Sequence, residues 1–141
     1  MNRLWMIVIM AGLLAGCAAR GPVVDHSDDY MRHAGNPVTQ VRYSSIRNWR
    51  AVGSEMIMMD FGARGQYLFE LSPECHSRFN TGLKIGVDSY RSNVIDTSDR
   101  IIIDEVHRCR IMSIRSVDMS AVREDLAGRG AESEDSPVQN H

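Results

Sequence analysis

Two pairs of neighbouring residues are of the types that bind metals or form covalent bonds. One pair is Cys75 and His76, and the other is His107 and Cys109. Thiolate and imidazole are the usual ligands of structural zinc, so the four side chains together would make a Cys₂His₂ site. Adjacent residues on a strand point to opposite faces, however, which disfavours one metal shared by Cys75 and His76. The alternative chemistry is a disulfide between the two cysteines.

Three methionines close in sequence raise the question of copper. Met56 and Met58 share one face of a predicted strand that also carries Met59, and thioethers favour Cu(I). Methionine is also a common gap-filler of hydrophobic cores, and no histidine lies within this strand. We therefore expect these side chains to pack in the core. The sequence predicts no resident metal and no cofactor.

The motifs of common enzyme classes are missing from the sequence. It contains no phosphate-binding loop, no G-x-S-x-G elbow, no H-E-x-x-H and no G-x-G-x-x-G. Asp104 and Glu105 are neighbours on a predicted strand, where they would point apart and make a poor acid/base pair. The segment Asp96–Asp99 has the composition of a calcium loop but lacks the spacing of an EF-hand. The sequence predicts a protein that is not an enzyme.

The N-terminal residues predict the compartment in which the protein folds. Asn2 and Arg3 precede an apolar run from Leu4 to Leu14, which is shorter than the roughly 18 residues that span a bilayer. The run leads into Leu13-Leu14-Ala15-Gly16-Cys17, which looks like the lipobox of bacterial lipoproteins. The resemblance implies that residues 1–16 are a lipoprotein signal peptide. It also implies that Cys17 is acylated and becomes the first residue of the mature protein.

Acylation would decide both the partners and the location of the protein. Two or three acyl chains on Cys17 would anchor it stably in membrane lipid, where one chain is marginal. Ala18 follows, and not the aspartate that retains lipoproteins in the inner membrane of enteric bacteria. We therefore expect the outer membrane, with the protein facing the periplasm and contacting an envelope protein. Loop arginines at positions 78, 91 and 100 are candidates for an anionic partner, with a solvated face as the alternative. A net charge of −2 argues against nucleic acid.

The oxidising periplasm favours the disulfide over the zinc site. With Cys17 acylated, Cys75 and Cys109 are left as an even pair in a compartment where disulfides persist. In the chain-entropy model such a bridge contributes roughly 3–4 kcal/mol to stability. The alternative function is a periplasmic metal-handling protein, for zinc or copper, that uses Cys75, His76, His107 and Cys109.

Short strands separated by turns dominate the rest of the sequence. Residues 17–40 are predicted to be the lipidated cysteine and a flexible tether, because few large apolar residues are present to offset the ordering entropy. Residues 41–127 are predicted to form one domain, and residues 128–141 a disordered tail. Strands are predicted at 55–61, 66–71, 83–87, 93–95, 100–106 and 109–117, helical turns at 46–52 and 120–126, and a bulge near Met112–Ser113.

Five to six short strands in a domain of this size favour an antiparallel all-β fold. A small SH3-like or OB-like barrel, or a compact sandwich, is the most economical arrangement, because closure removes exposed strand edges. The disulfide would staple this fold, and short helical turns would flank it. The sequence is silent on a ligand cavity inside such a barrel.

Several residues of this domain carry a family resemblance. Its most specific parts are Pro73-x-Cys75 and Cys109-x-Ile111-x-x-Ile114-Arg115. Further matching positions are Trp49, Tyr67-Leu68-x-x-Leu71, Ile85-Gly86 and Ile103-Asp104-x-Val106. The pattern over residues 49–118 resembles an uncharacterised family of small proteobacterial lipoproteins, a domain of unknown function. Family members often have Arg-Pro-Val-Asp at 115–118, where this chain has Ser116 in place of the proline. The resemblance implies no activity, and we expect a non-catalytic interaction or envelope-maintenance module.

Overall fold

The computed structural model describes residues 25–75 and 84–134. In chain order the elements are α1 (Ser27–Arg32), β1 (Ala34–Pro37), β2 (Gln40–Arg42), β3 (Asn48–Ala51), β4 (Met56–Asp60), β5 (Gln66–Leu71), β6 (Ile85–Asp88), β7 (Val94–Asp96), β8 (Arg100–Ile103), β9 (His107–Val117) and α2 (Met119–Glu134). Short 3₁₀ turns lie at Gly62–Arg64 and Pro73–Cys75. In these two segments no helix has the length and apolar character needed to cross a membrane.

The strands form an open, curved antiparallel sheet. Six strands follow the order β3-β4-β5-β9-β8-β6, which makes a half-barrel, and β1 also pairs with β9. Strands β2 and β7 form a separate two-stranded ribbon. Val41 of β2 and Ile95 of β7 are buried in the same core as the inner face of the sheet. The ribbon therefore covers the inner face of the half-barrel.

The β4–β5 hairpin is the clearest local structure, as predicted. Met56 to Asp60 pairs with Gln66 to Glu70 in an unbroken antiparallel register. Between the strands, Gly62 and Gly65 have φ angles of 65° and 98°, a region that favours glycine. The Asp60 carboxylate accepts a hydrogen bond of 2.7 Å from the Gly62 amide. Glycine and aspartate chemistry thus fixes the turn and, through it, the register.

Strand β9 contains a β-bulge at Met112. Ser113 lies opposite Glu70, whereas Ile111 lies opposite Leu71, so that Met112 is the extra residue. The predicted bulge near Met112–Ser113 is therefore confirmed. Its effect is that Ile111 and Ile114 both lie in the inner core, although they are three residues apart.

Strands β4 and β5 carry apolar residues on both faces, so the outer face must also be buried. Ile57 and Phe69 lie in the inner core. On the outer face, Met58 and Leu68 form a second cluster, which is covered by side chains of α1, of α2 and of the β3–β4 connection. The members of this outer cluster are Tyr30, Val52, Met58, Leu68 and Val122. Two helices bury a face that a small barrel would have left exposed.

The predicted closed barrel or sandwich is thus corrected to a mostly β half-barrel with a C-terminal helix. The prediction assumed that closure of the sheet would remove its edges. Instead, within the described residues, β3 and β6 stand at the two ends of the strand order and do not pair with each other. The antiparallel arrangement and the disulfide are confirmed.

The flexible tether predicted over residues 17–40 is wrong from residue 25 onward. Residues 27–32 form α1, whose Tyr30 is only 4% exposed. Ala34 and Pro37 then pair with β9. The Arg50 guanidinium lies over the Tyr30 ring, 5.3 Å from its centroid. Residues 17–24 lie outside the described residues.

Three other boundaries differ from the prediction. Residues 48–51 of the predicted helical turn form strand β3, in which the half-buried Trp49 and Ala51 alternate with the exposed Asn48 and Arg50. Asp118 caps α2, and the helix does not end at residue 126 as predicted but continues through Gly128 to Glu134, into the predicted tail. Residues 135–141 of that tail lie outside the described residues. The predicted strand 100–106 ends at Ile103, because Asp104 and Glu105 adopt positive φ angles in a turn.

Candidate functional site

Cys75 and Cys109 form a disulfide, with their Cα atoms 5.8 Å apart. Cys75 ends the 3₁₀ turn that follows β5, and Cys109 lies on the inner face of β9. Both are buried, with exposures of 3% and 0%. Each sulfur is therefore bonded to the other, and neither is a thiolate available to a metal ion. The bond links the end of β5 to the middle of the sheet.

The structure describes one of the two histidines of the alternative zinc site. His107 is half-buried at the start of β9, opposite Ile103, and His76 lies outside the described residues. Across residues 25–75 and 84–134, no three His, Cys, Asp or Glu side chains are grouped so as to hold a metal ion. The predicted lipidation site, Cys17, also lies outside these segments.

The methionines of β4 pack as the sequence analysis predicted. Met59 is fully buried in the inner core, and Met58 is 4% exposed in the outer cluster. Met56 is partly buried against the same outer cluster. Met31 of α1 and Met119 of α2 join them there. Methionine side chains thus fill the irregular space between the sheet and the two helices.

A network of charged side chains that the sequence analysis missed joins α1 to α2. Its first centre is Asp29 of α1, whose side chain is 9% exposed. The Arg129 guanidinium of α2 lies 2.5 Å from the Asp29 carboxylate. His26 Nδ1 lies 3.2 Å from the same carboxylate, and an Arg32 nitrogen 3.7 Å. The hydrogen bond from Arg129 holds the pKa of Asp29 below its ordinary value, against the opposing effect of burial.

The second centre of the network is Asp125 of α2. Arg32 of α1 donates a hydrogen bond of 2.9 Å to its carboxylate, and His33 Nε2 lies 3.2 Å from the same oxygen. Arg129 lies 3.4 Å away, one helical turn along α2. The contact with His33 is the largest cause that lowers the pKa of Asp125, and the charges of Arg129 and Arg32 add to it. We call these six residues the helix clamp: His26, Asp29, Arg32, His33, Asp125 and Arg129.

The helix clamp was missed because five of its six members fall in the predicted tether or the predicted disordered tail, and only Asp125 lies in a predicted helical turn. A signal was present nonetheless, since Asp28 and Asp29 occupy the first turn of α1 and Arg32 its last turn, as helix dipoles favour. Asp125 and Arg129 have the spacing of an ion pair along one helix. Chemically, the clamp pairs carboxylates with cations and fastens α2 over the outer cluster.

Comparison with known proteins identifies a family without an assigned activity. The family model described as a family of unknown function (DUF6491) matches residues 1–133. Neither the curated proteins nor the solved structures contain a significant match to the chain. Because the family model spans nearly the whole chain, including both bonded cysteines and most of α2, the protein belongs to this family of unknown function, DUF6491.

Proposed function

We propose that the protein is a lipoprotein anchored through acylated Cys17 in the outer membrane, and that its periplasmic domain is a non-catalytic interaction or envelope-maintenance module. The observation that carries the proposal is the buried Cys75–Cys109 disulfide. Structural disulfides are typical of proteins that fold in oxidising compartments such as the periplasm. The lipobox-like segment that ends at Cys17 predicts export to the same compartment.

The length of chain between the anchor and the domain supports a role close to the membrane. Residues 18–24 are all that separates Cys17 from Asp25, the first described residue. At no more than roughly 3.6 Å per residue, this segment spans at most about 30 Å. The tether predicted from the sequence is longer and runs to residue 40, and α1 and β1 take up part of it. An anchored domain is therefore held within about its own diameter of the lipid.

The chemistry of the described residues supports a binding role over catalysis. The cysteines are bonded to each other, and His26 and His33 each contact a carboxylate of the helix clamp. These contacts hold α1 and α2 together, and the buried residues beneath them are apolar. The domain is thus a scaffold whose side chains stabilise its own fold and leave the surface for partners.

Acylation is tested by expression of the natural chain and of Cys17→Ser in a Gram-negative host that is fed labelled palmitate. We expect the label on the natural protein alone, and its recovery with outer-membrane fractions on a density gradient. The matched control is Cys109→Ser, which removes a different cysteine and should keep the label. Unlabelled natural protein in the soluble fraction would contradict the proposal.

The metal-handling alternative makes an opposite prediction about the cysteines. It requires reduced Cys75 and Cys109, together with zinc or copper in protein purified without chelator. We expect no reaction of these cysteines with a thiol reagent in denatured, unreduced protein. Two reactive thiols and a bound metal ion would establish the alternative in place of our proposal.

A further inference from the structure

The outer face of the sheet at β6, β8 and β9 carries a group of arginines. Residues that pair across antiparallel strands share a face, and the rows that contain Ile101 and Ile103 are buried in the inner core. The alternate rows therefore lie on the outer face. They consist of Asp88, Arg100 and Arg110 in one row and Gly86, Ile102 and Arg108 in the next. We call Arg100, Arg108 and Arg110 the arginine face.

Two members of the arginine face lie side by side without a counter-ion. Arg100 and Arg110 are direct cross-strand partners, and both are exposed. Like charges in this position destabilise a sheet. Asp88, the partner of Arg100 on its other side, directs its carboxylate to Arg108 at 3.3 Å. Within the described segments, neither Arg100 nor Arg110 takes part in an ion pair.

Neighbouring acidic residues are engaged elsewhere. Glu74, in the 3₁₀ turn after β5, accepts a hydrogen bond of 2.9 Å from the Ser72 hydroxyl. Glu105, in the β8–β9 turn, pairs with Lys84 at 3.1 Å. The arginine face is therefore cationic, although the whole chain has a net charge of −2. Its complement is an anionic group that two adjacent guanidinium ions would bind together.

Exposed apolar side chains lie beyond both ends of the arginine face, Val106 on the side of Arg108, and Tyr90 and Met112 on the side of Arg100 and Arg110. In the described segments, the large hydrophobic residues that stand out as exposed are Tyr90, Val106 and Met112, at 101%, 74% and 52%. Met112 lies two residues after Arg110 on β9, and Val106 is in the turn between β8 and β9. Tyr90 lines the same surface depression as Arg100. Arginine beside tyrosine and exposed aliphatic groups is typical of surfaces that enter the headgroup region of a membrane.

From this arrangement we propose that the arginine face binds the phosphate groups of anionic lipids at the membrane surface. The inference rests on the proposed anchoring through Cys17, which keeps the domain within about 30 Å of the lipid. Guanidinium forms paired hydrogen bonds with phosphate oxygens. Bound phosphate would relieve the repulsion between Arg100 and Arg110. A lipid surface supplies a hydrophobic environment for Tyr90, Val106 and Met112 beside its phosphates, which a purely acidic protein surface would not.

The test uses the full, acylated chain in vesicles of phosphatidylcholine, with or without phosphatidylglycerol. Phenylglyoxal modifies exposed arginines, and mass spectrometry measures the rate at each one. We expect Arg100 and Arg110 to react about fivefold more slowly with phosphatidylglycerol present, the factor for one basic residue near an anionic surface. High salt should abolish this protection. Arg64, exposed in the β4–β5 turn, is the internal control and should react equally in both vesicles.

Variants separate binding from folding. In the natural chain Arg108, the third member of the arginine face, should also react more slowly with phosphatidylglycerol present. In Arg100→Gln/Arg110→Gln we expect this protection to be lost and the Tm to stay the same or rise, because a cross-strand repulsion is removed. Arg64→Gln removes the same charge in the β4–β5 turn and should leave the protection of Arg108 unchanged. A double variant that keeps full protection of Arg108 would count against the arginine face.

Three further outcomes overturn the inference. Equal reactivity of Arg100 and Arg110 in both kinds of vesicle means that no lipid binds there. Equal protection by glycerol phosphate in phosphatidylcholine vesicles points to a soluble phosphate, and equal protection by polyglutamate points to an acidic protein. Flotation with neutral vesicles tests the anchor separately. Protein that does not float contradicts the proposed function and this inference together, whereas floating protein with unprotected arginines contradicts this inference alone.

Discussion

Arg129 of α2 and Asp29 of α1 form an ion pair of 2.5 Å, although they are separated by nearly the whole domain in sequence. Through this contact and the pairing of Arg32 with Asp125, the first and last described helices hold each other on the outer face of the sheet. Val122 and Tyr30 are buried beneath them. The two ends of the domain are therefore one structural unit, and disturbing either end should release both.

We predict that Arg129→Gln loosens α2. The substitution leaves the Asp29 carboxylate, with a 9% exposed side chain, without its nearest cation. Faster hydrogen exchange is expected in both α1 and α2, with little change in β8 and β9. The control is Arg123→Gln, since Arg123 also lies on α2 but donates its hydrogen bond to the Met119 carbonyl of the same helix. Unchanged exchange in α1 would show that the clamp does not couple the helices.

The stability of the domain should depend on pH through the helix clamp. The pKa values of Asp29 and Asp125 are lowered in the folded state by Arg129 and His33, respectively. At acidic pH the unfolded chain therefore binds more protons than the folded one, so that stability rises with pH. The contribution is fully present above the unfolded value of about 3.9 and is lost as the pH falls through the lower, folded values.

Urea unfolding across this pH range measures the effect. We expect the midpoint to fall as the pH is lowered below about 4, and Asp29→Asn/Asp125→Asn to be less stable at pH 7 and to flatten this dependence. The control is Asp88→Asn, which removes a carboxylate that is half exposed and pairs with Arg108. A double variant with the same slope as the natural protein would refute the assignment to the clamp.

The outer cluster should contribute to stability through Val122. This side chain is fully buried between α2 and the sheet, and Val122→Ala removes buried methyl groups and leaves a cavity. We predict a loss of about 1–3 kcal/mol in the free energy of unfolding. Val106→Ala is the matched control, because Val106 is 74% exposed. Similar losses for both variants would mean that α2 does not pack as described.

The Cys75–Cys109 disulfide should supply a large share of the stability. Cys75→Ser/Cys109→Ser removes a cross-link between residues 34 positions apart. The expected loss is roughly 3–4 kcal/mol in the chain-entropy model, measured by urea unfolding without reductant. Addition of reductant should destabilise the natural protein by a similar amount and leave the variant unchanged. If full reduction of the disulfide left the stability of the natural protein unchanged, this role would be contradicted.

Local chemistry explains what could be predicted from the sequence. The turn at Gly62 and Gly65, the bulge at Met112 and the pairing of the cysteines depend on residue types with few structural options. The closed barrel was wrong because β4 is apolar on both faces, a pattern that fits a closed sheet as well as an open one covered by helices. The choice between them depends on long-range packing.

The helix clamp was missed for a related reason. Residues 25–40 and 128–134 are rich in polar and small residues, and each segment alone lacks the apolar area to offset its ordering entropy. Together they share Asp29, Arg129 and the buried Tyr30. The two segments are therefore ordered through their contacts with each other. Composition windows, which treat each segment separately, therefore assign both to disorder.

The central claim is that Cys17 is acylated and that the other two cysteines are bonded to each other in the envelope. The intact mass of the protein extracted from membranes, without chelator or reductant, tests all parts at once. The account predicts a chain that begins at Cys17, carries the lipid, is two protons lighter than the reduced form and holds no metal ion. An unmodified Cys17 would contradict the anchor, and two free thiols with bound zinc or copper would contradict the structural role of the cysteines.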